Sequence, residues 1–327
     1  MSKYITVFVP VYNGEKYLGE SIEAILHQEL PEGYRLEMLI TDSGSKDRSV
    51  EIAKTYAKKY ADIVKFDEIP NSEFGHGKTR QRAAEIAKGE YILFITQDAT
   101  PTSYRWLVNM IEPFFISPKV GCVFGRQVPR PHSVPTIKRE VAGVFGGLGH
   151  PDTIALSREK SLVDGQPAGQ LNYFFSDVNS AIRKDLIHTI PFKPLAYAED
   201  QALAQDMQQA GYFKAYAPQG AVWHSNEYTA REYYHRKFDE YIGLQESVAE
   251  KFTPSLRSLL LGWIRPTLAD WKFTRHDREY PPYVKLKFSV LAPAYNYAMQ
   301  LGKYRAIKFV NDEKRRQQMS LEAKNKT

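Results

Sequence analysis

Apolar residues along this chain fall into short runs that alternate with stretches of helical spacing. Ile5-Thr-Val-Phe-Val-Pro10 reads as a strand, Val11-Tyr-Asn-Gly14 as a turn, and Glu15 to Gln28 as an amphipathic helix with Leu18, Ile22, Ile25 and Leu26 on one face. A second strand, Leu36 to Thr41, runs into the acidic loop Asp42-Ser-Gly-Ser-Lys-Asp47 and a helix from Arg48 to Tyr60, with Asp47 as its expected N-cap. Strands near Ile63 to Ile69 and Tyr91 to Thr96, with a helix around Lys78 to Lys88 between them, continue the alternation. This order predicts an α/β fold with a mostly parallel sheet flanked by helices.

Candidate chemistry appears where the runs end. Tyr91-Ile-Leu-Phe-Ile-Thr96 is continuously apolar up to Thr96 and is followed by Gln97 and a lone carboxylate, Asp98, at the strand end where open α/β sheets hold ligands. A single acid there suggests a metal and phosphate site; the plainer alternative is a cap on the helix after Pro101. Glu199-Asp200 precedes the apolar-periodic stretch Gln201 to Ala210, so both acids start a helix. They suit either a general base or a first-turn pair favoured by the helix dipole.

Several segments in register resemble inverting family 2 glycosyltransferases of the GT-A fold: Val9-Pro-Val-Tyr-Asn-Gly14, Asp42-Ser-Gly-Ser-Lys-Asp47, Gln97-Asp98, Ala198-Glu-Asp-Gln-Ala-Leu203 and Val222-Trp-His-Ser-Asn-Glu-Tyr-Thr229. Glu73-Phe-Gly-His-Gly-Lys-Thr-Arg80 is similar to a segment of the rhamnosyltransferase branch, including enzymes that build streptococcal-type rhamnose polysaccharides. The resemblance implies a Rossmann-like GT-A domain over residues 1–251. It further implies transfer of L-rhamnose from dTDP-β-L-rhamnose to a lipid-linked saccharide, forming an α-linkage, with Mn²⁺ or Mg²⁺ as cofactor. In its terms Asp200 is the base and Glu199 its neighbour. Pro10, Tyr12 and Asp42 frame the nucleotide, and His76, Gly77, Lys78, Arg80, Gln97 and Asp98 surround the donor, with Lys78 and Arg80 suited either to offsetting phosphate charge or to a plain basic helix start. His224 joins Asp98 at the metal. Two departures stand out. Thr96 replaces the first acid of the implied Asp-x-Asp, and Ser43 stands where a second acid usually follows Asp42, leaving UDP-hexose or UDP-N-acetylhexosamine open as donors.

Other motifs fail on single letters. Gly77-Lys-Thr79 would end a P-loop only if position 72 were glycine, and Ser72 stands there; no Gly-x-Gly-x-x-Gly follows the first strand. Cys122, the one cysteine, lies in the apolar run Val120 to Phe124 and is expected to pack in the sheet. Asn179 and Ser180, in a strand before the paired acids, are further candidate substrate contacts. Asp164-Gly-Gln-Pro167 reads as a turn in a Pro- and Gly-rich middle segment. Tyr233-Tyr-His-Arg-Lys237 is expected on a helix, either meeting an acceptor phosphate or solvated.

Charge changes the picture at the carboxyl end. Of a net +6, residues 252–327 hold 15 Lys or Arg against 6 Asp or Glu, a local +9, leaving −3 for residues 1–251. The tail interleaves this charge with Leu, Trp, Phe and Tyr in amphipathic pieces that suit an anionic membrane surface or a homodimer contact. It has no apolar run of about 20 residues. No leader pattern opens the sequence, so the expected location is cytoplasmic, peripheral on the inner face of the cell membrane. Binding to nucleic acid, suggested by pI ≈ 9.0, lacks any accompanying motif. A sugar-binding scaffold without catalysis is the third alternative. Lys314-Arg-Arg316 and the polar end after it read as solvated or disordered.

Overall fold

In the computed structural model, residues 3–158, 174–195, 197–247, 253–321 and 323 are described. Contacts divide the chain into two units: Met1–Val128 with Val144–Leu195 and Glu199–His224, and Pro129–Gly143 with Ala196–Ala198 and Ser225–Thr327. The second unit therefore begins well before the boundary expected at residue 252. That boundary and the Asp164 turn lie outside the described residues.

The first unit is built on one nine-stranded sheet ordered β3-β2-β1-β4-β8-β6-β9-β5, with β7 added on β9. Its strands are β1 (Lys3–Val11), β2 (Tyr34–Asp42), β3 (Val64–Glu68), β4 (Tyr91–Ile95), β5 (Thr100–Pro101), β6 (Val120–Val128), β7 (Ala155–Ser157), β8 (Asn179–Arg183) and β9 (Phe213–Trp223). The ladders β1 to β4 and β6 to β9 are parallel, while β8 is inserted antiparallel between β4 and β6. Helices α1 (Leu18–Leu26), α2 (Ser49–Lys59), α3 (His76–Ile86), α4 (Trp106–Ile116) and α6 (Glu199–Gln209) flank this sheet; α5 (Pro135–Gly146) spans the division between the units.

Alternation along β1 explains why the strands read as unbroken apolar runs. Ile5, Val7, Val9 and Val11 pack with Leu18, Ile22 and Ile25 of α1 and with Trp106 and Leu107 of α4. Phe8 lies in edge contact with Phe94, which in turn meets Phe192. Both faces are thus covered, and each fully buried aliphatic side chain contributes about 1.5–3 kcal/mol. Helix α1 is shorter than its periodicity predicts. Gly14 O accepts the N–H groups of both Tyr17 and Leu18 in a preceding turn, and the Glu15 N–H donates to Asp47 Oδ2. Asp47 also accepts from the Ser49 N–H, one position before the expected capping geometry, with Arg48 as the N-cap. Cys122 is fully buried in β6, as expected.

The second unit consists of helices: the first part of α5, α7 (Ala230–Ser247), α8 (Leu256–Leu261), α9 (Ile264–His276), α10 (Pro282–Lys308) and α11 (Glu313–Met319). Asp270 of α9 is its buried anchor, accepting from Thr136 Oγ1 at 2.8 Å and Asn296 Nδ2 at 2.6 Å and pairing with Arg139. Helix α7 lies against α10 at Gly302, where an added Cβ would come within 2.6 Å of the Tyr234 carbonyl. Tyr233 and Lys237 are buried, and both bond to Glu140. This corrects the expectation of a solvated or phosphate-facing helix. Lys314 to Arg316 lie on a helix capped by Asp312, with Lys314 and Arg315 exposed, so of the two expectations the solvated one holds there and the disordered one does not.

Asn179 is likewise structural. It has no exposed surface, accepts from Trp106 Nε1 at 2.9 Å and donates to the Gly220 carbonyl at 2.7 Å, tying α4 and β9 to β8. Asn179→Leu strands both partners in the core, and it should lower unfolding free energy by about 2–4 kcal/mol in denaturant titration. A loss under about 0.5 kcal/mol would contradict this role.

Candidate active site

The candidate side chains of the first unit gather along one edge of its sheet. Strands β1, β2 and β4 end there at Val11, Asp42 and Ile95, and β6 and β9 end there at Val128 and Trp223. The antiparallel β8 begins at the same edge, just after Asp177. This is the carboxyl edge, where parallel sheets leave a crevice for ligands.

The loops after β1 and β2 are laced together by hydrogen bonds. Asn13, in the left-handed region at φ 49°, donates its N–H to Ser45 Oγ and accepts from the Lys46 N–H, both at 2.8 Å. Asp42 Oδ1 accepts from the N–H groups of Gly44 and Ser45, and Oδ2 accepts from Ser45 Oγ. Gln97 bonds both backbone groups of Tyr12, accepting at 2.6 Å and donating at 2.8 Å. Asp42 and Gln97 therefore fix the loops that flank the crevice. Pro10 and Tyr12 are half-buried at its side.

Asp98 lies between β4 and β5. The two residues of β5 pair antiparallel with Val222 and Trp223, folding the chain back so that Asp98 Oδ2 lies 3.4 Å from His224 Nε2. The helix beyond starts only at Trp106, with Arg105 as its N-cap, so Asp98 does not cap it. Burial alone would raise the Asp98 carboxyl, but the adjacent imidazole outweighs this and holds it down at about 2. His224 Nδ1 faces Gln127 Oε1 at 2.9 Å, and Gln127 Nε2 donates to Ser176 Oγ at 3.1 Å. That contact orients the ring so that its Nε2 faces Asp98. Two ligands about 2.1 Å from one cation, at angles between square and tetrahedral, lie about 3.0–3.4 Å apart, so the 3.4 Å spacing of this pair is compatible with a shared divalent ion. Among the described residues no cluster of three or more His, Cys, Asp or Glu forms a richer site.

A second cluster surrounds Arg80 of α3. Its guanidinium is buried, with Nε 3.1 Å from Asp177 Oδ2 and Nη1 on Glu199 Oε1 at 2.5 Å. Asp200 Oδ2 accepts the Asp177 N–H at 3.1 Å, and Oδ1 accepts the N–H of Gln201. The sequence suggested Arg80 as a phosphate contact, but the structure sets its charge against the acids instead. Gly77 serves the same packing, since a Cβ there would meet the Lys193 carbonyl at 2.4 Å, so the close approach is made by the chain itself. Lys78 is exposed, and His76 is half-buried in edge contact with Phe74.

Three carboxylates face one guanidinium, so full ionisation would leave two uncompensated negative charges. Burial, then Glu199, then Asp177 push Asp200 up to about 8. Burial likewise pushes Asp177 up to about 6, against the lowering by Arg80. Asp200 keeps part of its surface open, as a base must. Ala198, just before the pair, is held in the left-handed region at φ 61°, a conformation that costs a non-glycine residue about 1 kcal/mol or more and often marks functional turns.

Sequence reading missed Gln127 and Asp177. Gln127 is 97 residues from His224 and meets it only through the β6 to β9 pairing, so no local pattern could reveal it.

An open α/β sheet with its acids collected at the carboxyl edge is the architecture of GT-A transferases. The chain belongs to Glycosyl transferase family 2, whose pattern matches residues 6–190, and it is a glycosyltransferase. It is 30% identical over 238 residues to the O-antigen chain rhamnosyltransferase RfbN of Salmonella typhimurium, covering 72% of this chain and 70% of that one. It is 32% identical, with the same coverage, to the O-antigen chain rhamnosyltransferase WbaN of Salmonella anatum. Its fold is similar to that of the mannosyltransferase PcManGT from Pyrobaculum calidifontis, solved with GDP-Man and Mn²⁺, with a TM-score of 0.59 and 18% identity over 95% of this chain and 87% of that one.

Two outcomes follow from these clusters. Gln127→Leu frees the His224 ring from its orienting partner and should weaken Mn²⁺ binding about tenfold in calorimetry; unchanged affinity would exclude the orienting role. Folded Asp200 retains its proton up to about 8, whereas the unfolded chain releases it near 3.8, so this group disfavours the folded state increasingly as pH rises from about 4 to 8. Asp200→Asn should therefore melt above the wild type at pH 8, with the difference shrinking toward pH 4. A difference independent of pH would contradict the shift.

Proposed function

We propose that the chain transfers L-rhamnose from dTDP-β-L-rhamnose to a hydroxyl of a lipid-linked saccharide, with inversion to an α-linkage, in cell-wall or capsular polysaccharide synthesis. The observation that carries the chemistry is Asp200, partly open at the carboxyl edge and made more basic by burial and by Glu199. The sugar is supported by the two rhamnosyltransferase relatives at 30% and 32% identity.

In this reading the ionised Asp200 takes the proton of the acceptor hydroxyl as its oxygen attacks the anomeric carbon. The new carbon–oxygen bond forms on the face opposite the breaking bond, whose electron pair leaves with dTDP. Glu199 and Asp177 hold Arg80, and the Asp177 N–H holds Asp200 in place. Asp98 and His224 would bind Mn²⁺ or Mg²⁺, His224 standing in for the acid replaced by Thr96. When bound, such an ion neutralises charge on the diphosphate leaving group. The PcManGT complex with GDP-Man and Mn²⁺ supports a nucleotide-sugar donor and a divalent ion. Tyr12, Asp42 and the loop before α3 are assigned to the nucleotide side. A lipid-linked acceptor would be met at the inner membrane face. A UDP-hexose or UDP-N-acetylhexosamine donor is the second reading, which Ser43, standing where a second acid usually follows Asp42, leaves open.

Calorimetry with dTDP, UDP and GDP, with and without Mn²⁺, should show metal-enhanced binding at least about tenfold tighter for dTDP. Preference for UDP would overturn the sugar, and absence of all nucleotide binding would overturn the enzyme reading. With donor and acceptor present, turnover should climb about tenfold per pH unit below 7 and level off above about 8. Asp200→Asn should lower it at least about 100-fold, and a flat profile across this range would remove Asp200 as the base.

A further inference from the structure

Helix α9 is amphipathic in the inverted sense. Its buried stripe is polar, Thr267, Asp270 and Thr274, whereas Ile264, Leu268 and Trp271 stand on its outer side, 42–55% exposed. The neighbouring α10 is apolar on both its inner and its outer side. Phe288, Ala292 and Tyr295 face inward, while Leu286 and Val290 are each 72% exposed. Trp271 Nε1 donates to the Ser289 carbonyl, and Lys285 Nζ donates to the Arg275 carbonyl, so the two outer stripes adjoin. Helix α8, bonded to α10 through Ser258 and Gln300, also carries Leu260, 65% exposed. Scattered exposed apolar residues are ordinary; adjoining exposed stripes on α9 and α10 imply a partner.

The charge around the strip chooses that partner. Arg265, Lys272, Arg275 and Lys287 are exposed along its margins, and none of them pairs with a carboxylate among the described residues. The nearby acids are engaged inside the unit: Asp270 with Thr136, Asn296 and Arg139, and Asp277 and Glu279 with Lys138. A symmetric homodimer through this face would bring two basic rims together without one free acid, a repulsive arrangement. An anionic bilayer offers the opposite: acyl chains for Leu, Ile, Val and Trp, and phosphates for Lys and Arg. Among the described residues no helix is long and apolar enough to cross a membrane, so the contact is with the surface.

We infer that the outer face of α8, α9 and α10 docks on an anionic lipid bilayer. This goes beyond the proposed transfer reaction and does not depend on the donor sugar. The test is sedimentation of the full chain with vesicles of phosphatidylcholine containing about 30% phosphatidylglycerol, or of phosphatidylcholine alone, at about 50 mM and about 500 mM NaCl. Binding should be at least about tenfold tighter to the anionic vesicles at low salt. Leu286→Glu with Val290→Glu should lose at least about tenfold in binding at an unchanged melting temperature, because both side chains are exposed. Lys272→Glu with Arg275→Glu should erase the preference for anionic lipid. Neither pair should change turnover of a water-soluble acceptor, which separates this inference from the reaction itself. Absence of binding to anionic vesicles at low salt, or equal binding by Leu286→Glu with Val290→Glu, would overturn it. So would a dimer in sedimentation equilibrium that this same pair dissolves while vesicle binding is absent, which would give the face to a second copy.

Discussion

The buried guanidinium of Arg80 is the constraint around which the active edge is arranged. It is one positive charge in a place with little water, opposed by Asp177 and Glu199 and within the field of Asp200. Burial alone would weaken its hold on its proton, yet the three acids outweigh that and keep it charged. An unpaired charge in such a setting would cost several kcal/mol, so helix α3, the start of β8 and the start of α6 are fixed relative to one another. The cluster is incompletely neutralised by design of its composition. The excess negative charge appears as a proton retained on Asp200, the member with an open side.

That arrangement connects stability with chemistry. A carboxyl group that binds its proton near neutral pH is a stronger base than an ordinary aspartate once ionised, and it destabilises the fold in the same measure as pH rises. The left-handed Ala198 before it adds a local conformational cost. Both are features that a fold selected only for stability would lose. The pair Asp98 and His224 is organised differently, with the imidazole steadied by Gln127 and the carboxylate held ionised well below neutral pH.

Strand and helix order in the first unit was legible because each βα step carries its own apolar periodicity and turn chemistry. Asp98, Glu199, Asp200 and His224 were legible because each sits where such a step ends. The structure brings Asp98 to His224 and Asp200 to Asp177, which spacing alone could not show. Arg80, Gly77, Gln97 and Asn179 read as substrate contacts in sequence because polar and glycine residues near a crevice look alike whether they touch ligand or chain. In the structure Arg80 meets acids, Gly77 admits a carbonyl, Gln97 clamps Tyr12 and Asn179 joins α4 to β9. Residues beyond Ser225 were harder, because Tyr233 and Lys237 look polar in sequence and only their long-range partner Glu140 makes burial affordable.

The central claim is that Asp200 holds its proton near neutral pH because of the acids and burial around it. Carbon-13 NMR of the aspartate side-chain carboxyls, recorded from pH 4 to 10 for the wild type and for Asp200→Asn, measures this directly. The account predicts one resonance titrating near pH 8 in the wild type and absent from the variant. Titration of every aspartate carboxyl below about pH 5 would contradict it.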